Sequence, residues 1–201
     1  MATNIFTPDF YRSNHALFSA VQRRSLVITE SVESFSKRAS QKTTVFISHK
    51  HDDLNGLEPL ISMLEENYSV ETYIDSKDRS MPKVTNSKTA ARIKNMINKC
   101  DKFILLATDG AIESKWCNWE LGYGDAAKFA KKSIAIFVVS NDTKDAKGCE
   151  YMKLYPYISC YAGNEKYKNG SFVERGYYVS EETEEGLTII TPLSDWLKSR
   201  S

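Results

Sequence analysis

From Thr43 onward, continuous apolar runs alternate along the chain with stretches in which apolar residues recur at helical spacing. The continuous runs are short and rich in β-branched and aromatic side chains, which predicts buried strands over residues 43–48, 69–74, 102–108, 133–140 and 157–161. The helical spacing predicts one helix that starts near Asp53 and two more over residues 88–100 and 116–129. Strands that alternate with helices indicate a parallel sheet covered on both faces. We therefore expect a flavodoxin-like, doubly wound α/β fold over residues 43–201.

Residues 1–42 show a different pattern, which predicts a helical N-terminal extension. The segment Thr7-Pro8-Asp9 is typical of a helix start, because a hydroxyl side chain precedes a proline in the first turn. Apolar residues then recur at helical spacing, at Phe10, Leu17, Phe18, Val21, Ile28, Val32 and Phe35. Such a stripe indicates packing on the main domain or on a second copy of the chain.

The C-terminal part has two further features. Residues 164–186 are rich in tyrosine and charge and are interpreted as an insertion, with a hairpin turn at residues 168–171. The pair Thr191-Pro192 predicts the start of a short closing helix that includes Trp196 and Leu197.

Composition limits the classes of partner. The 27 basic and 26 acidic residues leave a net charge of +1, whereas nucleic-acid binding needs a concentrated positive field. The longest apolar runs, such as residues 103–107 and 134–139, are too short to span a bilayer, and no signal peptide is visible. We expect a cytoplasmic protein whose partners are neither nucleic acid nor membrane.

The cysteines and histidines do not predict a metal site. The four cysteines form no CxxC pair, and a protein that is not secreted keeps its thiols reduced. His49 and His51 are close in sequence, but no third ligand follows at a recognisable spacing.

Ligands of doubly wound folds bind at the carboxyl ends of the strands, which here are Ser48-His49, Asp75 and the segment after Thr108. No GxGxxG follows a strand, and no phosphate-binding P-loop or GxSxG elbow is present. A response regulator would need a phospho-acceptor after the third strand, and Asp109 is a candidate. In a response regulator the first strand would also be followed by an acidic pair, whereas this chain has Ser48-His49 there.

Two motifs resemble those of TIR (Toll/interleukin receptor) domains, and the resemblance covers residues 43–161. Residues 45–53 (VFISHKHDD) resemble the first TIR box, in which a strand leads to an acidic helix start. Residues 114–121 (SKWCNWEL) resemble the Trp-Cys-x-x-Glu segment of TIR domains that consume NAD. The loop at residues 76–86 corresponds to the variable loop that mediates TIR contacts.

The resemblance implies that NAD+ is a substrate, that no cofactor is required, and that Glu120 is the catalytic residue. Nicotinamide leaves NAD+ as a neutral base, so the carboxylate stabilises the oxocarbenium-like ribose and no general acid is needed. Trp116 lies one helical turn before Glu120 and either stacks on the substrate or packs in the core. Four further residues are candidate substrate-binding groups, although each also fits a turn or a solvated loop: Ser48, His49, Asp75 and Lys77.

The implied function is that of a bacterial stand-alone TIR protein: an NAD+ glycohydrolase that releases nicotinamide together with ADP-ribose or a cyclic ADP-ribose isomer. Such proteins commonly act in antiphage defence, where a downstream effector senses the product, and they self-associate. The chain lacks the Phe-Trp pair and the proline-glycine loop tip of metazoan adaptors, having Ser194-Asp195-Trp196 and Met81-Pro82-Lys83 instead. Two alternatives remain open: a non-catalytic adaptor that acts through residues 76–86, and an enzyme similar to nucleoside deoxyribosyltransferases.

Overall fold

The parallel sheet predicted from the apolar runs is present, and additional strands widen it. The computed structural model describes residues 2–7, 10, 42–78, 86–142, 144 and 146–199, and within them eight strands form one sheet. The strands are β1 (Ile5–Phe6), β2 (Thr44–Ser48), β3 (Glu71–Tyr73), β4 (Lys102–Ala107), β5 (Ile134–Val139), β6 (Tyr157–Tyr161), β7 (Gly176–Glu182) and β8 (Thr188–Pro192).

Helices of very different length connect these strands. They are α1 (Leu54–Asn67), α2 (Ser87–Lys99), α3 (Asp109–Glu113), α4 (Lys115–Lys128), α5 (Cys149–Met152) and α6 (Leu193–Lys198), with short 3₁₀ turns at His51–Asp53 and Asp75–Lys77. Pro59 lies inside α1. No helix in the described part of the chain is long and apolar enough to cross a bilayer.

The strand order is β3-β2-β4-β5-β6-β7-β8, and the pairs from β3 to β6 are all parallel. The carboxyl ends of β2 to β5 therefore lie at one edge of the sheet. One core cluster lies on the face that α1 and α6 cover, and the other lies beneath α2 and α4. The predicted flavodoxin-like fold is confirmed, with antiparallel strands β7 and β8 added at one side.

The first residues of the chain belong to this sheet, which the sequence did not predict. β1 pairs in parallel with the end of β5, and Thr3 exchanges two backbone hydrogen bonds with Cys160, of 2.8 and 2.7 Å. Phe6 is fully buried between Phe137 and Tyr177. Apart from Phe10, which is helical, the predicted N-terminal helix lies outside the described residues.

A short helix follows β4 directly. The Thr108 hydroxyl accepts a hydrogen bond from Ala111 N–H, so Asp109 and Gly110 are the first residues of α3. The hairpin turn predicted at residues 168–171 is present: Lys166 and Phe172 form an antiparallel bridge, and Tyr167 N–H donates a 2.8 Å hydrogen bond to the Ser171 carbonyl. A second hairpin joins β7 and β8, so the tyrosine-rich segment also contributes a strand of the main sheet. The closing helix predicted near Trp196 is present as α6.

Candidate active site

Helix α4 places Glu120 under the carboxyl edge of the sheet. The Ser114 hydroxyl caps the helix by accepting a hydrogen bond from Cys117 N–H. Cys117, Leu121 and Gly124 then form the face that packs on the core, and Glu120 lies on the same buried side. Its side chain is only 1 % exposed. The residue lies beyond the first turn of α4, so it does not act as a carboxylate at the helix start.

The carboxyl group of Glu120 has one bound and one free oxygen. Oε2 accepts a 2.6 Å hydrogen bond from the Ser48 hydroxyl at the end of β2. Oε1 is buried and has no hydrogen-bond partner among the described residues. Burial, followed by the negative charge of Asp75, raises the pKa of Glu120 to about 8, with smaller opposing effects from Ser48 and Trp116. A buried, unsatisfied oxygen of this kind points to a ligand.

His49, which is buried, and Asp75, which is half-buried, form an electrostatic pair next to Glu120. His49 is 5 % exposed, its Nε2 lies 3.1 Å from Ser76 Oγ, and its Nδ1 has no hydrogen-bond partner among the described residues. Burial lowers the pKa of His49, and the charge of Asp75 opposes this shift. Burial likewise raises the pKa of Asp75, and His49 opposes that shift. The sequence did not single out Ser76, since serine in a polar loop carries no signal.

Trp116 starts a row of aromatic rings along α4. Its ring stacks on Trp119 at a centroid distance of 4.9 Å, and Trp119 in turn stacks on Tyr123 at 6.4 Å. Lys94 of α2 places its ammonium group 5.7 Å from the Trp119 centroid. Trp116 and Trp119 are both half-buried. Both also pack against the core cluster beneath α2 and α4.

Lys77 lies at the border of the site. Its ammonium group is 3.8 Å from Glu58 Oε1, and its charge contributes to lowering the pKa of His49. Asp78, which follows, is 7 % exposed and accepts hydrogen bonds from Tyr73 (2.7 Å) and Arg92 (2.9 Å). These bonds fix the chain where the variable loop begins. Residues 79–85 of that loop lie outside the described residues.

A separate cleft of about 380 Å³ lies between the start of α1 and the ends of β4 and β5. It is lined by Asp52, Asp53 and Asp109, together with Ser140, whose hydroxyl donates a 3.4 Å hydrogen bond to Asp109. The helix starts after Asp53 as predicted, but the Asp53 carboxylate accepts a hydrogen bond from Thr108 and does not cap α1. Glu120 does not line this cleft. In the described part of the chain, no three His, Cys, Asp or Glu side chains are grouped so that they could hold a metal ion.

The arrangement around Glu120 is suited to a ligand with hydroxyl groups and positive charge. The free carboxylate oxygen accepts hydrogen bonds, and in a buried site it attracts a cation strongly. Ser48 donates a hydrogen bond to Glu120, and the charge of Asp75 acts on both His49 and Glu120. The three strand-end residues therefore meet the helix residue Glu120 in one site. Trp116 adds an aromatic surface at the same helix.

Comparison with known proteins identifies the family. A family model described as "TIR domain" matches residues 45–170, which is more than half of the chain. The match includes β3 to β6, all of β2 except Thr44, and both Ser48 and Glu120. No curated protein matches the chain.

Proposed function

This chain belongs to the TIR-domain family, and we propose that it cleaves the bond between nicotinamide and ribose in NAD+. TIR domains include NAD-consuming enzymes as well as adaptors that only bind other TIR domains, so the family match alone fits both roles. The observation that favours an enzyme is Glu120. Its carboxyl group is buried, held on one oxygen by Ser48 and unpartnered on the other.

The reaction needs this kind of group. Nicotinamide departs as a neutral base, so the positive charge that was on its ring develops on the ribose. A carboxylate fixed against the ribose stabilises that charge, and it does so best in a buried site that excludes water. Glu120 forms no ion pair among the described residues, so once it is ionised its negative charge is available to the substrate.

The proton of Glu120 links substrate binding to pH. With a pKa of about 8, the carboxyl group of the free protein is mostly protonated at pH 7. The positive charge of the nicotinamide ring favours the ionised form, so binding of NAD+ displaces the proton. Ser48 assists because its hydrogen bond is strongest to the ionised carboxylate.

The remaining groups are assigned to binding. Trp116 stacks on a ring of the substrate, and His49 Nδ1 contacts a ribose hydroxyl or a phosphate. Asp75 accepts hydrogen bonds from ribose hydroxyls, and Lys77 is the cation closest to a phosphate. NAD+ is the substrate and no cofactor takes part. The free Nδ1 atom of His49 supports this assignment.

The biological role follows from the same proposal. The co-product is ADP-ribose or a cyclic ADP-ribose isomer, made in the cytoplasm as a signal in antiphage defence that a downstream effector senses. TIR domains commonly self-associate through TIR–TIR contacts. We expect the variable loop of a neighbouring copy, residues 76–86, to complete the site.

The test is to incubate NAD+ with concentrated protein and to identify the products by chromatography and mass spectrometry. Wild type is compared with Glu120→Gln and with Glu66→Gln, which removes an exposed glutamate of α1. Nicotinamide released by wild type and Glu66→Gln but not by Glu120→Gln supports the proposal. The mass and retention of the co-product distinguish hydrolysis from cyclisation.

Two other results would overturn the proposal. Absence of nicotinamide release at high concentration and in lysate of phage-infected cells would favour an adaptor. Release of a base from deoxynucleosides, with NAD+ left intact, would favour an activity like that of the nucleoside deoxyribosyltransferases. Circular dichroism of all three proteins checks that a lost activity is not a lost fold.

A further inference from the structure

The last strand of the sheet, β8, has an open edge in the described part of the chain. The sheet path ends at β8, which pairs only with β7. Four of its five residues are exposed, and Ile190 is half-buried. An uncovered edge strand presents unpaired N–H and C=O groups to other chains.

The β7–β8 turn shows which backbone groups of β8 face outward. Leu187 directs its carbonyl to Thr183 N–H (2.8 Å) and its own N–H to the Thr183 hydroxyl (3.1 Å), so residue 187 faces β7. Because this orientation alternates along an antiparallel strand, Thr188 and Ile190 direct their backbone groups away from β7. The backbone of Pro192 also faces away from β7. Because proline has no N–H, this orientation means that no hydrogen bond to β7 is lost at that position.

The side chains of this edge lack the usual protection against pairing. Residues 187–192 carry no charge, and two of their apolar side chains are exposed, Leu187 by 41 % and Ile189 by 56 %. Natural edge strands are commonly blocked by a lysine, a bulge or a covering segment. At the opposite end of the sheet, β3 has only three residues.

We propose that β8 pairs with β8 of a second copy of this chain, antiparallel about a two-fold axis, so that one sheet runs through the dimer. The outward residues fix the register. With Thr188 opposite Ile190 of the second copy, all outward N–H groups of both strands find carbonyl partners, and Pro192 remains outside the ladder. Shifting the register to place Ile190 opposite itself would put Pro192 in the ladder, where it has no hydrogen to donate.

The same register accounts for the exposed apolar side chains. Ile189 lies opposite Ile189 of the second copy in a pair without backbone hydrogen bonds, the arrangement in which opposing side chains are closest. Leu187 lies opposite Thr191. Residues 187–192 carry no charge, so the two edge strands do not repel each other electrostatically. The net charge of +1 on each copy also leaves little repulsion between the two chains. The described residues of each copy form one edge of this kind, so pairing stops at a closed dimer.

This inference names a surface for the proposed self-association and does not depend on NAD+ cleavage. A cysteine at position 189 tests the register directly, because Cα atoms of such an opposed pair are about 4.5 Å apart, within the range that a disulfide needs. Under mild oxidation, Ile189→Cys is expected to convert the major part of the chain to a disulfide-linked dimer. The matched control is Leu187→Cys, which is similarly exposed but lies opposite Thr191 of the second copy and should crosslink less. Oxidised wild type shows how much crosslinking the four native cysteines cause by themselves.

A proline provides a second, independent measurement. Ile190→Pro removes an outward N–H but no bond to β7, so the fold is retained while pairing is blocked. Sedimentation analysis is expected to show a concentration-dependent dimer for wild type and a monomer for Ile190→Pro with an unchanged circular dichroism spectrum. The control is Phe172→Lys, which removes an exposed apolar side chain away from β8 and should leave the dimer intact. A monomeric wild type, or equal crosslinking of Ile189→Cys and Leu187→Cys, would overturn the inference whether or not NAD+ is cleaved.

Discussion

Ser48 and Glu120 are 72 positions apart, and the hydroxyl of the first donates a 2.6 Å hydrogen bond to the carboxyl group of the second. Ser48 ends the buried strand β2, and Glu120 lies on the buried face of α4. Since both side chains are fully enclosed, the bond fixes the direction of the free oxygen Oε1. It also connects the two segments that carry the family resemblance.

Replacing Ser48 by alanine is expected to reduce kcat/KM for NAD+ at pH 7. In wild type, the hydrogen bond from Ser48 favours the ionised carboxylate of Glu120. Without that bond the pKa of Glu120 rises, so a smaller fraction of the protein carries the ionised, active form at pH 7. Hydrogen bonds to charged groups are worth about 1.5–3 kcal/mol, which corresponds to roughly a tenfold loss or more. The loss should shrink at pH 9. Ser159→Ala, which removes a buried hydroxyl bonded to Ser180, is the control, and an equal loss at both pH values would contradict the explanation.

The pH profile of the free enzyme should show an acidic limb near the Glu120 pKa of about 8, with activity increasing as the proton is lost. Asp75 raises that pKa through its negative charge, so Asp75→Asn is expected to move the limb to lower pH. The measurement is log kcat/KM for NAD+ against pH. A limb at the same pH in both proteins would show that another group titrates.

Much of the fold was predictable because β2, β4 and β5 are buried on both faces. Every residue of these strands is buried, so their sequences are continuous apolar runs rather than alternating patterns. Their carboxyl ends also indicated where Ser48 and His49 would lie. The Trp-Cys-x-x-Glu segment made Glu120 the candidate catalytic residue, although no local pattern shows which residue binds its carboxyl group.

The parts that were not predicted lack a local signal. β1 has two residues and depends on pairing with a strand more than 130 positions away, which no window along the sequence detects. β7 mixes tyrosines with Glu181 and Glu182, because its end reaches solvent, and so resembled an insertion. The contact of His49 with Ser76 depends on the fold and on a 3₁₀ turn that has no distinct sequence.

Glu120→Gln is expected to stabilise the protein at alkaline pH. The pKa of Glu120 is raised from its ordinary value near 4.5 to about 8, so between these values the folded state holds a proton that the unfolded state has lost. The stability that this proton provides is present below pH 4.5 and is lost as the pH rises to 8. Glutamine does not titrate. The melting temperature of the variant relative to wild type should therefore increase from pH 5 to pH 8, whereas that of Glu66→Gln should not follow this trend.

Trp116→Ala is expected to raise KM for NAD+ more than it lowers kcat. Stacking of an aromatic side chain on a base is worth about 1–3 kcal/mol, so KM should rise by roughly tenfold. Trp119→Phe, which keeps an aromatic ring in the row along α4, is the matched control and should change KM little. A Trp116→Ala protein that loses stability with an unchanged KM would show that Trp116 only packs against the core.

Two glycines of α4 provide a test of how the helix positions Glu120. A Cβ atom on Gly124 would lie 3.0 Å from two ring carbons of Phe103, which is fully buried and stacked on Phe46 at 5.5 Å. That ring has little room to yield, so Gly124→Ala must push α4 outward and move Glu120, one turn earlier, away from Ser48. A Cβ atom on Gly122 meets nothing within 4 Å.

The two substitutions are chemically identical, and they should have opposite effects. Gly122→Ala is expected to raise the free energy of unfolding by up to about 1 kcal/mol, because alanine is the better helix former, with kcat for NAD+ unchanged. Gly124→Ala gains the same propensity but is expected to lose stability overall, and its kcat should fall because the carboxylate is displaced. Urea unfolding and NAD+ turnover measure the two effects. If Gly124→Ala were as stable and as active as Gly122→Ala, the position of Glu120 would not depend on the contact between α4 and Phe103.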